Sequence, residues 1–159
     1  MKVIVAEDDI MLADFLADAL ADLGHEVSGV ACDVAGAVVL ARAHHPGVAI
    51  LDMQLGRGEL GTEIANRLSA SNDLDGIGIL YVTGEAERVV RVAKFGHACL
   101  HKPYSIARLQ LAMTIVDGMV HGIVPPRTLP PGMMLLGLDP AATIGATIGG
   151  SAISRTVPC

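Results

Sequence analysis

The sequence predicts an α/β fold, a doubly wound parallel sheet of five strands in the order 2-1-3-4-5, with a helix after each strand. Three observations lead there. Val48-Ala49-Ile50-Leu51 is an uninterrupted apolar run, the pattern of a strand buried on both faces, and it ends at Asp52. Short runs of this kind alternate with segments of helical period through the first 120 residues, which right-handed crossovers assemble into one sheet. Of all residues 52% are hydrophobic but only 3% aromatic, with no tryptophan, so the core is built from Ala, Val, Leu and Ile.

In chain order, residues 2–6 form the first strand and run directly into Glu7-Asp8-Asp9. From Ile10 to Leu23 the apolar residues Ile10, Leu12, Phe15, Leu16, Ala19, Leu20 and Leu23 fall at helical spacing, with Asp14, Asp18 and Asp22 opposite and Gly24 as the stop. Residues 26–31 are the second strand. Asp33 caps a helix from Val34 to His44, which the His45-Pro46-Gly47 turn ends. The third strand leads through Met53-Gln54-Leu55-Gly56-Arg57-Gly58 to a helix over 60–70. Residues 77–82 are the fourth strand, ending at Thr83-Gly84, and 85–95 a helix whose acidic start and later Arg88, Arg91 and Lys94 suit its dipole. Residues 98–101 are the fifth strand. Lys102-Pro103 breaks it, and Ser105 caps a last helix over 106–120.

At 159 residues the chain is long enough to bury a real core, and residues 1–120 read as one domain. The formal net charge is -6, and residues 1–120 hold nine Lys and Arg against sixteen Asp and Glu. An acidic domain is a poor partner for nucleic acid phosphates. Cys32, Cys99 and Cys159 lie far apart without metal or disulfide spacing. No signal-peptide core forms and no apolar run approaches the about 18 residues of a membrane span, so a cytoplasmic protein is expected. Residues 121–159 form a Pro/Gly-rich apolar tail with three charged residues, no recognisable output domain, and a candidate docking segment from Met133 to Leu138. Gly145 to Ser151 lacks the Gly-Lys-Ser/Thr ending of a phosphate loop.

Four strand ends therefore carry functional groups: the acidic cluster, Asp52, Thr83 and Lys102. In the order 2-1-3-4-5 the ends of strands one and three meet at the switch point, where open α/β sheets bind ligands. Carboxylates crowded there call for a cation, and oxygen ligands with open water positions suit Mg²⁺. A carboxylate sharing that metal with a phosphoryl group can attack phosphorus and form an acyl phosphate. Lys102 would neutralise the transferring oxygens, and Thr83 would hydrogen-bond one of them. Asp9 reads as a solvated neighbour. His44, His45, His97 and His101 form no helical ligand pair, and Arg88, Arg91 and Lys94 read as a solvated face.

Glu7-Asp8, Asp52, Thr83 and Lys102-Pro103, in this order and spacing, resemble the receiver domains of two-component response regulators, over residues 1–120. The resemblance implies the flavodoxin-like (βα)5 receiver fold. It further implies Asp52 as phosphoacceptor, Asp8 as a direct Mg²⁺ ligand, Glu7 as a ligand through water, and the Gln54 backbone carbonyl as the remaining protein ligand. The Lys102–Pro103 bond is expected cis, aiming the ammonium inward. Where the family carries a switch aromatic, three residues before the lysine, this chain has Cys99. Tyr104 matches a commonly aromatic packing position.

The expected function is that of a single-domain, stand-alone response regulator. It would take a phosphoryl group from a histidine kinase or histidine phosphotransfer protein, hydrolyse it slowly, and either signal through protein contacts or act as a phosphate shuttle or sink. The face from the fourth to the fifth helix is a candidate homodimer surface. The alternative is a receiver-like binding module that is never phosphorylated. A metal-dependent phosphatase fits less well, since no second carboxylate lies two residues after Asp52.

Overall fold

The computed structural model describes residues 1–137. Leu138, the Gly145 to Ser151 stretch and Cys159 lie outside the described residues. Strands β1 (Lys2–Ala6), β2 (Glu26–Ala31), β3 (Val48–Leu51), β4 (Gly78–Thr83) and β5 (Ala98–His101) alternate with helices α1 (Ile10–Asp22), α2 (Val34–His44), α3 (Gly61–Ser69), α4 (Ala86–Val92) and α5 (Ile106–Val120). The first five strands are parallel, in the order 2-1-3-4-5.

A sixth strand, β6 (Met133–Leu135), extends the sheet beyond β5 and runs antiparallel to it. The five-strand expectation is corrected by this short edge strand. Part of the segment expected to dock elsewhere thus seats on its own sheet. Its three residues carry no alternation from which a strand can be read, and four prolines, at 125, 126, 130 and 131, precede it.

Successive strand residues point to opposite faces, and each face has its own core. On one side Ile4, Leu51, Ile79, Tyr81 and Cys99 pack with α2, α3 and α4, around Ala37, Ala41, Ile64, Leu68 and Val89. On the other Val3, Val5, Ile50, Leu80, Val82 and Leu100 meet Leu16 and Leu20 of α1 and Leu109, Met113 and Val116 of α5. Full burial of a Val, Leu or Ile side chain contributes about 1.5–3 kcal/mol, so these two layers hold the sheet and its helices together.

Two helices depart from the sequence reading. Asp9 starts α1 by accepting from the N–H groups of Met11 and Leu12, at 2.9 and 3.1 Å. Only Ala13, Leu16, Ala19 and Leu20 of α1 are then buried, while Ile10, Leu12 and Phe15 are 76, 46 and 59% exposed. Helix α4 stops at Val92, short of the expected Phe95. The chain must turn at Gly96 (φ +136°), where a Cβ would lie 2.7 Å from the Tyr81 ring, and the Phe95 carbonyl accepts from the Tyr81 hydroxyl at 3.0 Å. That close approach ends the helix early.

Candidate functional site

The parallel register pairs Ala6 with Leu51, and the Asp52 N–H donates to the Ala6 carbonyl at 2.9 Å. Two adjacent strands therefore end together, and the carboxylates that follow them, Glu7 and Asp52, share one cation. Lys102 Nζ lies 2.8 Å from Glu7 Oε2 and 2.8 Å from Asp52 Oδ2. The Lys102 N–H donates to the Thr83 carbonyl at 2.9 Å, which fixes the lysine at the end of β5, and the Lys102–Pro103 peptide is cis.

The Lys102, Asp52 and Glu7 side chains are only 25, 15 and 6% exposed. Burial raises the Glu7 pKa, opposed by the hydrogen bond and charge of Lys102 and reinforced by the charge of Asp52. For Lys102 burial pulls downward, but the hydrogen bonds and charges of Asp52 and Glu7 outweigh it and the pKa rises above 10.5. The lysine stays an ammonium at neutral pH. It balances one of the two carboxylates, leaving the mouth of the site acidic.

The other candidates surround this pair. Asp52 Oδ1 accepts from the Met53 N–H at 2.5 Å. Thr83, 2% exposed, ends β4 and accepts through Oγ1 from the Glu85 N–H at 3.2 Å. Asp8 is exposed and makes no hydrogen bond or ion pair among the described residues; its carboxylate faces the Gly56 turn. Gln54 bridges to Leu60, and its side chain donates to Glu85 Oε2 at 2.9 Å, which Arg88 also holds at 3.0 Å. Cys99 lies in the core beside Tyr81, off the carboxylate cluster; burial, and next the charge of Asp52, push its thiol up to about 12.

Of the histidines, His101 pairs in register with Thr83 beside Lys102, and its N–H donates to the Gly132 carbonyl at 2.9 Å. His97 is half-buried and accepts through Nδ1 from the Ile79 N–H at 3.0 Å.

Sequence reasoning missed two features. The Glu85 clasp on Gln54 could be read only from the pairing of their loops across the sheet. An apolar cleft of about 240 Å³, lined by Glu7, Leu12, Phe15, Leu16, Lys102, Pro103 and Tyr104, adjoins the lysine. Its signal was present in Leu12 and Phe15, which the helical period had placed in the core. A larger cavity of about 420 Å³ lies at the amino ends of the strands, among Leu68, Ile77, His97 and Val120, away from these groups.

The start of α3 is built tightly against Asp52. The Gly61 N–H donates to the Met53 carbonyl at 3.0 Å, and a Cβ at Gly61 would overlap the Asp52 carbonyl oxygen. Gly61→Ala is expected to destabilise the chain by about 2 kcal/mol, as overpacking against fixed backbone does. Urea unfolding measures it, and a change under about 0.5 kcal/mol, the scale of an ordinary surface substitution, would contradict the contact.

The donors at the strand ends fit a hard divalent cation. They are oxygens only, Asp8 is unengaged, and Asp52 and the Gln54 carbonyl begin the same loop. Among the described residues no three His, Cys, Asp or Glu side chains gather where they could together hold a metal ion. One or two carboxylates with a backbone carbonyl are the oxygen donors that suit Mg²⁺, which keeps several waters and shares positions with phosphate oxygens.

Fold and site together define the class: a doubly wound α/β domain of receiver type, its acidic pocket at the switch point of the sheet. A family model for the response regulator receiver domain matches residues 3–114, and the chain belongs to that family. The transcriptional regulatory protein PdtaR of Mycobacterium tuberculosis is 34% identical over 109 residues, 68% of this chain and 52% of the relative. The chain thus spans about half the length of that relative.

Among solved structures, the receiver domain of a modulated diguanylate cyclase from Desulfovibrio desulfuricans is 28% identical, with a TM-score of 0.64 over 76% of this chain and 95% of that one. The response regulator PhyR from Brucella abortus, 22% identical with a TM-score of 0.60 over 76% of this chain and 48% of its own, shares the fold. Among the described residues no helix is long and apolar enough to cross a membrane.

Proposed function

We propose that this receiver takes a phosphoryl group onto Asp52 from a phosphohistidine on a histidine kinase or histidine phosphotransfer protein. The observation that carries the reading is Lys102 Nζ at 2.8 Å from both Glu7 and Asp52, a cation already in place beside the nucleophile. An Asp52 carboxylate oxygen attacks phosphorus; the P–O bond forms as the P–N bond breaks, and the electron pair leaves on the imidazole nitrogen, which takes up a proton. Later, water attacks phosphorus, releasing orthophosphate and restoring the carboxylate.

Lys102 balances the charge that builds on the phosphoryl oxygens, and the Thr83 hydroxyl turns from its contact with the Glu85 N–H to donate to one of them. Asp8, Asp52 and the Gln54 carbonyl would hold Mg²⁺, with Glu7 acting through water. Bound there, the ion supplies Lewis-acid neutralisation of the phosphoryl oxygens. Phosphate incorporation from a small acyl-phosphate donor, with magnesium or with a chelator, tests this. One phosphoryl adduct that requires magnesium is expected; incorporation unaffected by chelation would overturn the metal assignment.

The rim of the site supports a protein donor. Leu12 and Phe15 of α1 are exposed and line the apolar cleft that adjoins Lys102, and Ile10 and Met11 are exposed on the same helix, a surface suited to an apolar helix face on the phosphohistidine protein. Phe15→Asp is expected to slow transfer from such a donor by about tenfold or more, as loss of an aromatic anchor does. Labelling by a small acyl phosphate should be unchanged. Equal slowing with both donors would show that Phe15 supports the site instead of the docking.

A further inference from the structure

Strand β6 is joined to the phosphoacceptor pocket through two consecutive residues. Lys102 holds Asp52 and Glu7, and its neighbour His101 donates its N–H to the Gly132 carbonyl at 2.9 Å, the bond at which β6 begins. At the other end the Leu136 N–H donates to the His97 carbonyl at 2.9 Å. Between them Met133, Met134 and Leu135 lie opposite Leu100, Cys99 and Ala98.

The contacts lie on both faces of the sheet. Met133 packs with Leu100 and Val82 on the α5 side, while Met134 and Leu136 close over Cys99 and Tyr81 on the α4 side. Thr83 is two residues beyond Tyr81 on β4 and shares that face. A three-residue edge strand has few anchors and belongs to the least stable part of a sheet.

We propose that β6 is a latch on the edge of β5, seated while Asp52 is free and released when Asp52 carries a phosphoryl group. The inference rests on the phosphoacceptor reading above. Transfer of Lys102 and Thr83 to phosphoryl oxygens moves the ends of β4 and β5. Those movements reach His101 and the Tyr81–Cys99 face, two of the places where β6 is held. Release uncovers the β5 edge and frees the apolar Met133 to Leu136 segment.

Amide hydrogen exchange followed by mass spectrometry on the full chain tests this, with and without acyl phosphate and magnesium. The intact mass of the same sample reports the extent of phosphorylation. In phosphorylated chains, exchange in the 133–137 segment and at the His101 amide should accelerate about tenfold, a common size for allosteric coupling. The β1 and β3 amides should stay protected, and Asp52→Asn chains should show no acceleration. Phosphorylated chains whose 133–137 segment exchanges unchanged would overturn the latch and leave the phosphoacceptor standing. Chains that take no phosphoryl group would overturn both.

Discussion

Asp52→Asn is expected to lower phosphate incorporation by about a hundredfold or more, because the amide has no carboxylate nucleophile to form the acyl phosphate. The substitution keeps the shape of the side chain, and its Oδ1 can still accept from the Met53 N–H, as the native group does at 2.5 Å. The buried surroundings hold one carboxylate fewer, and Lys102 retains Glu7 at 2.8 Å. The variant should therefore fold, so loss of labelling reports on chemistry. Incorporation is read by intact mass after incubation with acyl phosphate and magnesium. Retention of a tenth or more of native labelling would move the phosphoacceptor away from Asp52.

Lys102→Met is the substitution expected to cost the most stability, about 3 kcal/mol at neutral pH, because it strands two mostly buried carboxylates without their cation. A quarter of the lysine side chain is exposed, which keeps the cost at the lower end for a buried pair. The pH dependence follows from the direction of each shift. The folded pKa of Lys102 is raised, so its contribution is fully present below the ordinary 10.5 and is lost as pH rises through the folded value.

Glu7 is also raised in the folded chain, so the native state binds its proton more readily than the unfolded chain. Stability on that account falls as pH rises from the ordinary 4.5 through the raised value. In the methionine variant that penalty grows, and acid relieves it. Urea unfolding of both chains should show the gap widest near neutrality, narrowing toward pH 4.5 and above pH 10.5. A gap that does not change with pH would contradict the ion triad.

The pattern of apolar runs made the five parallel strands readable, because strands covered on both faces carry no polar interruption until they end. Val48 to Leu51 is the plainest case, and Asp52 falls at its end. What composition could not show was the third dimension of the edges. Met133 to Leu135 is apolar whether it lies on this sheet or on a partner, so β6 emerged only from its bonds to His101 and His97. Ile10, Leu12 and Phe15 satisfy a helical period, yet the sheet needs only the narrower stripe of Leu16 and Leu20.

Similar reasoning applies at the site. Glu7, Asp52, Thr83 and Lys102 were legible as strand-end groups. The double engagement of Lys102 was not, since it depends on how far each strand projects beyond its last ladder bond. Nor could spacing reveal the Gln54–Glu85 contact between two loops thirty-one residues apart.

Treatment of the labelled native chain with neutral hydroxylamine tests the proposed acyl phosphate at Asp52. Hydroxylamine attacks the acyl carbon, leaving a hydroxamate at the aspartate and releasing orthophosphate. Loss of the phosphoryl adduct and a hydroxamate located by peptide mass at Asp52 are expected. An adduct that survives hydroxylamine, or a hydroxamate at another carboxylate, would contradict that assignment.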